Sequence, residues 1–89
     1  MHCLTVSHKT ATVDVRALFA FTEEEKKRFL HYLLEKEITK ECVVLTTCNR
    51  SEIYFTGEKQ AVGKLQQAVA DFKKISLAEL MKYFNVYHD

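Results

Sequence analysis

Residues 3–7 alternate between polar and apolar, with Leu4 and Val6 on one side, and predict a first strand. A polar loop with His8, Lys9 and Thr10 follows, then a short helical piece over residues 13–19. Thr22 and Glu25 have the T-x-x-E spacing of a capping box, in which each side chain satisfies a free backbone donor of the other residue. The helix they open carries Phe29, Leu30, Leu33 and Leu34 on one stripe and a Glu/Lys-rich opposite face. Glu23, Glu24 and Glu25 suit the positive end of its dipole. Val43, Val44 and Leu45 read as a buried strand over residues 42–46, and Ile53 and Phe55 alternate with Glu52, Tyr54 and Thr56 in a half-buried strand over residues 52–56. Few residues separate the two, so they form a hairpin, and Gly57 closes the second strand. From residue 60 to 74, Ala61, Val62, Leu65, Ala68, Val69 and Phe72 make a full helical stripe. Ser76 and Glu79 repeat the capping-box spacing before a short helix, and residues 83–87 predict a last strand.

The resulting order is strand, helix, strand, strand, helix, strand. That order predicts an α+β, ferredoxin-like split βαβ domain: an antiparallel sheet with two main helices on one face. Eighty-nine residues suit a single domain, 1–89. Two glycines and no proline favour long elements with short joins. The fold hosts many activities and names none of them.

Composition narrows the classes. With 47% hydrophobic and 28% charged residues the chain is globular rather than disordered, and its net charge of +1 gives no general attraction for nucleic acid. Three cysteines, Cys3, Cys42 and Cys48, at unrelated spacings make no disulfide framework and predict a reducing compartment, the cytoplasm. No apolar run approaches a membrane span, and the first residues do not have the pattern of a secretory signal. No C-x2-C pair supports a metal site.

The tip of the predicted hairpin is unusual. Turns there favour glycine or Asn-Gly, yet this one reads Thr47, Cys48, Asn49, Arg50. At a strand end the Cys48 thiol is reachable. Arg50 favours its thiolate and can grip a carboxylate in two places, and Asn49 offers amide donors to a developing oxyanion. The alternative is a buried thiol beside an Arg50 ion-paired to Glu52. Cys3 and Cys42, within strands, read as small buried hydrophobes. His31 reads as a boundary residue, and Lys26, Lys27, Arg28, Lys73 and Lys74 as solvated helix faces.

Two stretches, SHKTATVDVRALFAF (residues 7–21) and VVLTTCNRSEIYF (residues 43–55), resemble the amino-terminal domain of glutamyl-tRNA reductases. The similarity runs over nearly the whole chain. Thr12 stands where that family usually has proline, and Ser51 where threonine is usual. The resemblance implies NADPH-dependent reduction of glutamyl-tRNA to glutamate-1-semialdehyde, the first step of tetrapyrrole (heme) biosynthesis by the five-carbon route. It implies Cys48 as the nucleophile that forms an enzyme thioester, and Thr47, Asn49 and Arg50 as substrate-binding residues around it. It further implies a homodimeric full-length enzyme that acts on glutamyl-tRNA rather than DNA. NADPH would be held by a domain absent from this chain, the dimerisation domain would be absent too, and the family's partner histidine is expected beyond Asp89. Two rival readings remain open: a non-catalytic ferredoxin-like binding module and a thiol-redox sensor using Cys48.

Overall fold

The computed structural model of the chain describes residues 1–7, 9, 11–47 and 49–88, the side chain of His88 excepted. Four strands, β1 (His2–Ser7), β2 (Cys42–Thr46), β3 (Arg50–Phe55) and β4 (Asn85–His88), form one sheet in the order β2-β3-β1-β4. Every neighbouring pair is antiparallel. The two βαβ units therefore interleave, each crossover passing over one intervening strand, as in the ferredoxin-like split βαβ arrangement.

Between β1 and β2 lie α1 (Val13–Leu18) and α2 (Glu23–Glu35), and between β3 and β4 lie α3 (Lys59–Lys73) and α4 (Leu77–Tyr83). The two long helices are α2 and α3. Thr22 and Glu25 complete both halves of the capping box at α2. At α4 the Ser76 hydroxyl accepts from the Glu79 amide, while the Glu79 carboxylate pairs with Lys82. Gly57 sits at φ 145, where an added Cβ would also meet the Ala61 Cβ at 2.8 Å, so glycine is required as the chain leaves β3 for α3.

The core lies between the helices and one face of the sheet. Strands contribute Leu4, Val6, Val44, Ile53 and Phe55, α2 contributes Phe29 and Leu33, and α3 contributes Ala61, Leu65, Ala68 and Val69. Phe21, Phe29 and Phe72 pack as an aromatic cluster, with Phe21 and Phe29 5.2 Å apart at their ring centres. His2 belongs to this side too: its Nε2 lies 2.8 Å from the Gly57 carbonyl and its ring packs against Phe55.

Several expectations need correcting. β2 is not buried on both faces. Val44 points inward, while Val43 and Leu45 are 54% and 48% exposed, because β2 is an edge strand and no described helix covers the far face. Leu34 is exposed as well, since the buried stripe of α2 is narrow and centres on Phe29 and Leu33. Tyr83 ends α4 rather than opening β4, and β3 starts two residues early, at Arg50. His31 stands out in solvent beside Glu35, 3.2 Å away. Lys73, expected in solvent, has a side chain only 9% exposed.

Candidate functional site

Register fixes the hairpin. Thr46 and Ser51 are the last paired residues of β2 and β3, which leaves residues 47–50 to turn the chain. The Thr47 amide donates to the Arg50 carbonyl at 2.8 Å. The Thr47 hydroxyl oxygen then accepts from the amides of Asn49 and Arg50, both at 3.2 Å. A threonine side chain thus does locally what a glycine-based turn does with backbone alone, by offering the next amides an acceptor. Thr47 is committed to shaping the turn. Cys48, the candidate nucleophile, lies outside the described residues, as does His8.

Arg50 opens β3 on the sheet face that carries no helix. Antiparallel partners share a face, so register places Ser7 beside Arg50, Thr5 beside Glu52, and Cys3 beside Tyr54, with Tyr87 of β4 on the far side of Cys3. These residues and Lys9 line a groove of about 450 Å³. Its cationic end, at Lys9 and Arg50, adjoins the turn, Glu52 lies midway, and the aromatic end holds Tyr54 and Tyr87. Arg50 is half exposed, and its Nη1 lies 3.8 Å from the Glu52 carboxylate. The ion pair expected if Cys48 is simply a buried strand-end thiol therefore exists. A long, solvent-screened contact contributes little to stability, and a guanidinium with five donors retains capacity for a second carboxylate. The structure brings Thr47, Asn49 and Arg50 together at one end of the sheet, all exposed.

The other two thiols sit in unreactive surroundings. Burial, and then the negative charge of Glu52, pushes the Cys3 thiol above its ordinary value. Burial pushes Cys42 up to about 12. Among the described residues, no group of three or more His, Cys, Asp or Glu side chains is placed to hold a metal ion. The two glycines do not make a dinucleotide cradle, since Gly57 follows a strand and Gly63 lies within α3.

Sequence reasoning missed a set of residues behind the turn. Lys73 donates from Nζ to the Ala20 carbonyl, lies 3.3 Å from the Glu25 carboxylate and stands 4.2 Å above the Phe21 ring. Its spacing of four from Val69 and eight from Leu65 puts it on the buried stripe of α3, a signal present in the sequence. Ser51 is 2% exposed, as its alternation with Ile53 and Phe55 implies.

The model of the family described as glutamyl-tRNAGlu reductase, N-terminal domain, matches residues 4–89. The chain belongs to this family. It is 39% identical over 88 residues to a glutamyl-tRNA reductase of Pseudomonas putida (strain W619), covering 97% of this chain and 21% of that protein. The glutamyl-tRNA reductase of Geotalea uraniireducens (strain Rf4) is 40% identical over 85 residues, covering 93% of this chain and 20% of that protein. The chain thus spans about a fifth of the length of the curated glutamyl-tRNA reductases it matches.

Proposed function

We propose that this domain binds the glutamyl end of glutamyl-tRNA and forms the thioester of an NADPH-dependent glutamyl-tRNA reductase, a cytoplasmic, homodimeric enzyme of tetrapyrrole biosynthesis. The observation that carries this reading is the family match across residues 4–89, which includes the turn at 47–50. The groove supports it, because a cation at its turn end suits a substrate carboxylate.

In this reading the Cys48 thiolate attacks the carbonyl carbon of the aminoacyl ester. The bond from that carbon to the tRNA ribose oxygen breaks, the tRNA leaves as its hydroxyl after taking up a proton, and the glutamyl group stays on sulfur. Arg50 holds the substrate carboxylate, and the Asn49 amide faces the developing oxyanion. A thiolate is a strong nucleophile near neutral pH, and a thioester is less resonance-stabilised than an ester, hence a better hydride acceptor. NADPH supplies that hydride when bound. The described residues offer no dinucleotide loop, so no part of the reduction is assigned to them. The redox-sensor reading loses support from Cys42, whose half-buried, poorly ionising thiol is a weak resolving partner.

The test follows NADPH oxidation with glutamyl-tRNA as substrate. Cys48→Ser in the full-length enzyme is expected to lose activity by on the order of a thousandfold or more. The 89-residue chain alone is expected to show none. Near-normal turnover by Cys48→Ser would overturn the mechanism, and leave a binding module as the better description of this domain.

A further inference from the structure

The turn at 47–50 has a root, and the root is tied to a distant part of the chain. Directly beneath the turn, the hydroxyl oxygens of Thr46 and Ser51 lie 3.3 Å apart across the β2–β3 pair, on the helix-covered face. Thr46 Oγ1 also accepts from the Phe21 amide at 3.3 Å, a contact spanning 25 residues of sequence. Phe21 belongs to the short linker between α1 and α2. That linker is fixed from its other side by Lys73, which donates to the Ala20 carbonyl, stacks over the Phe21 ring and reaches Glu25. Glu25 in turn accepts from the Thr22 amide at 2.9 Å. A continuous polar chain thus runs from the last turn of α3, through the linker, to both strands that carry the turn.

These contacts are out of proportion to ordinary hairpin needs. Backbone pairing and the Thr47 hydroxyl already close the turn. A buried hydroxyl needs a partner, and here the buried Ser51 hydroxyl and the half-buried Thr46 hydroxyl partner each other while Thr46 also serves a remote amide. An apolar pair such as Val and Ala would pack the same strand positions without that requirement.

We infer that Thr46 and Ser51 are positioning residues: they hold the turn bearing Cys48 at a fixed height and tilt against the α1–α2 linker. This inference rests on the thioester-forming reading of the site. Reaction requires the nucleophile to sit about 3–3.5 Å from the carbonyl carbon, and displacements well under a chain diameter cost rate without costing fold. Neither hydroxyl touches substrate. Their effect is on where the turn stands.

The experiment compares Thr46→Val, Thr46→Ser, Ser51→Ala and Cys48→Ser in the full-length enzyme, reading single-turnover thioester formation, kcat, KM for glutamyl-tRNA and Tm. Thr46→Val removes the hydroxyl at nearly constant volume and is expected to slow acylation and kcat by about tenfold, within the reach of small misplacements, with KM changed by less than about twofold. Thr46→Ser restores the hydroxyl and is expected to recover most of the rate. Ser51→Ala, the smaller change, is expected to act in the same direction and serves if Thr46→Val does not fold. A lowered Tm with unchanged acylation in the folded variants would overturn the inference, as would equal rates for Thr46→Ser and Thr46→Val. Loss of activity in Cys48→Ser alongside normal rates in the other variants removes the positioning role and leaves the site reading intact. Full activity in Cys48→Ser removes the site reading itself.

Discussion

The two faces of the sheet are built from the same strands, one residue apart, and they differ in almost every physical respect. On the helix side β3 presents Ser51, Ile53 and Phe55, all buried; on the other it presents Arg50, Glu52 and Tyr54, which line the groove with Cys3, Thr5 and Ser7. The helix side is buried and rich in aromatic and aliphatic side chains, so it sets stability. The groove side has few apolar contacts to lose and a cation at the turn, so substitutions there change recognition more than folding. Period-two alternation is what lets a domain of this size separate the two tasks within one strand.

The largest expected effects break that comparison directly. Ile53→Ala removes a fully buried side chain and is expected to destabilise the full-length protein by about 2–5 kcal/mol in urea titration, with kcat/KM of the folded fraction preserved. Arg50→Lys is expected to do the reverse. It keeps the charge but loses the planar fork, so kcat/KM falls by on the order of tenfold or more while Tm stays within about two degrees. If Arg50→Lys unfolds the protein and Ile53→Ala spares it, the two faces have been assigned the wrong way round.

A second contrast sets thiol against thiol. Limited alkylation at neutral pH, followed by peptide mapping, is expected to label Cys48 first. Cys3 is slowed by burial and by the nearby Glu52 charge, and Cys42 by burial that pushes its thiol to about 12. Prior labelling of either strand cysteine in the folded protein would count against the turn as the reactive position.

The sequence carried the element order, both long helices and the hairpin, because each rests on local periodicity, reinforced at α2 by a capping box. It also carried the alternation of β3. It did not carry the environment of β2: Val43, Val44 and Leu45 look equally apolar, and an unbroken apolar run does not state which of its side chains face the uncovered side of the sheet. Leu34 departs from its stripe for a related reason, since a run of apolar positions does not state how wide the neighbouring surface is. In the candidate site, the identities at 47–50 were legible but the work of Thr47 was not: its hydroxyl serves backbone amides, a matter of turn geometry. The link from Lys73 through Phe21 to Thr46 joins residues 25 or more positions apart, beyond the reach of any periodic pattern.

The smallest expected effect lies at the far end of that link and concerns pH. The Thr22 amide, bonded to Glu25, holds the Glu25 carboxyl below the usual glutamate value, aided by Lys73 3.3 Å away. A carboxyl depressed in the folded state stabilises it while ionised in both states, so the contribution is complete above the unfolded value of about 4.3. It fades as pH falls from there through the lower folded value. Glu25→Gln retains a side chain that can accept from the Thr22 amide but removes the charge facing Lys73. Because the Glu25 side chain remains 27% exposed, solvent screening limits the loss to about 0.5–1 kcal/mol at pH 7. The difference in unfolding free energy between wild type and Glu25→Gln is expected to stay constant from pH 7 to about 5 and to shrink below about 4.3. A difference that held its size at low pH would mean that Glu25 acts as a neutral cap alone. Lys73 would then fix the α1–α2 linker through the Ala20 carbonyl and the Phe21 ring, without help from the charge of Glu25.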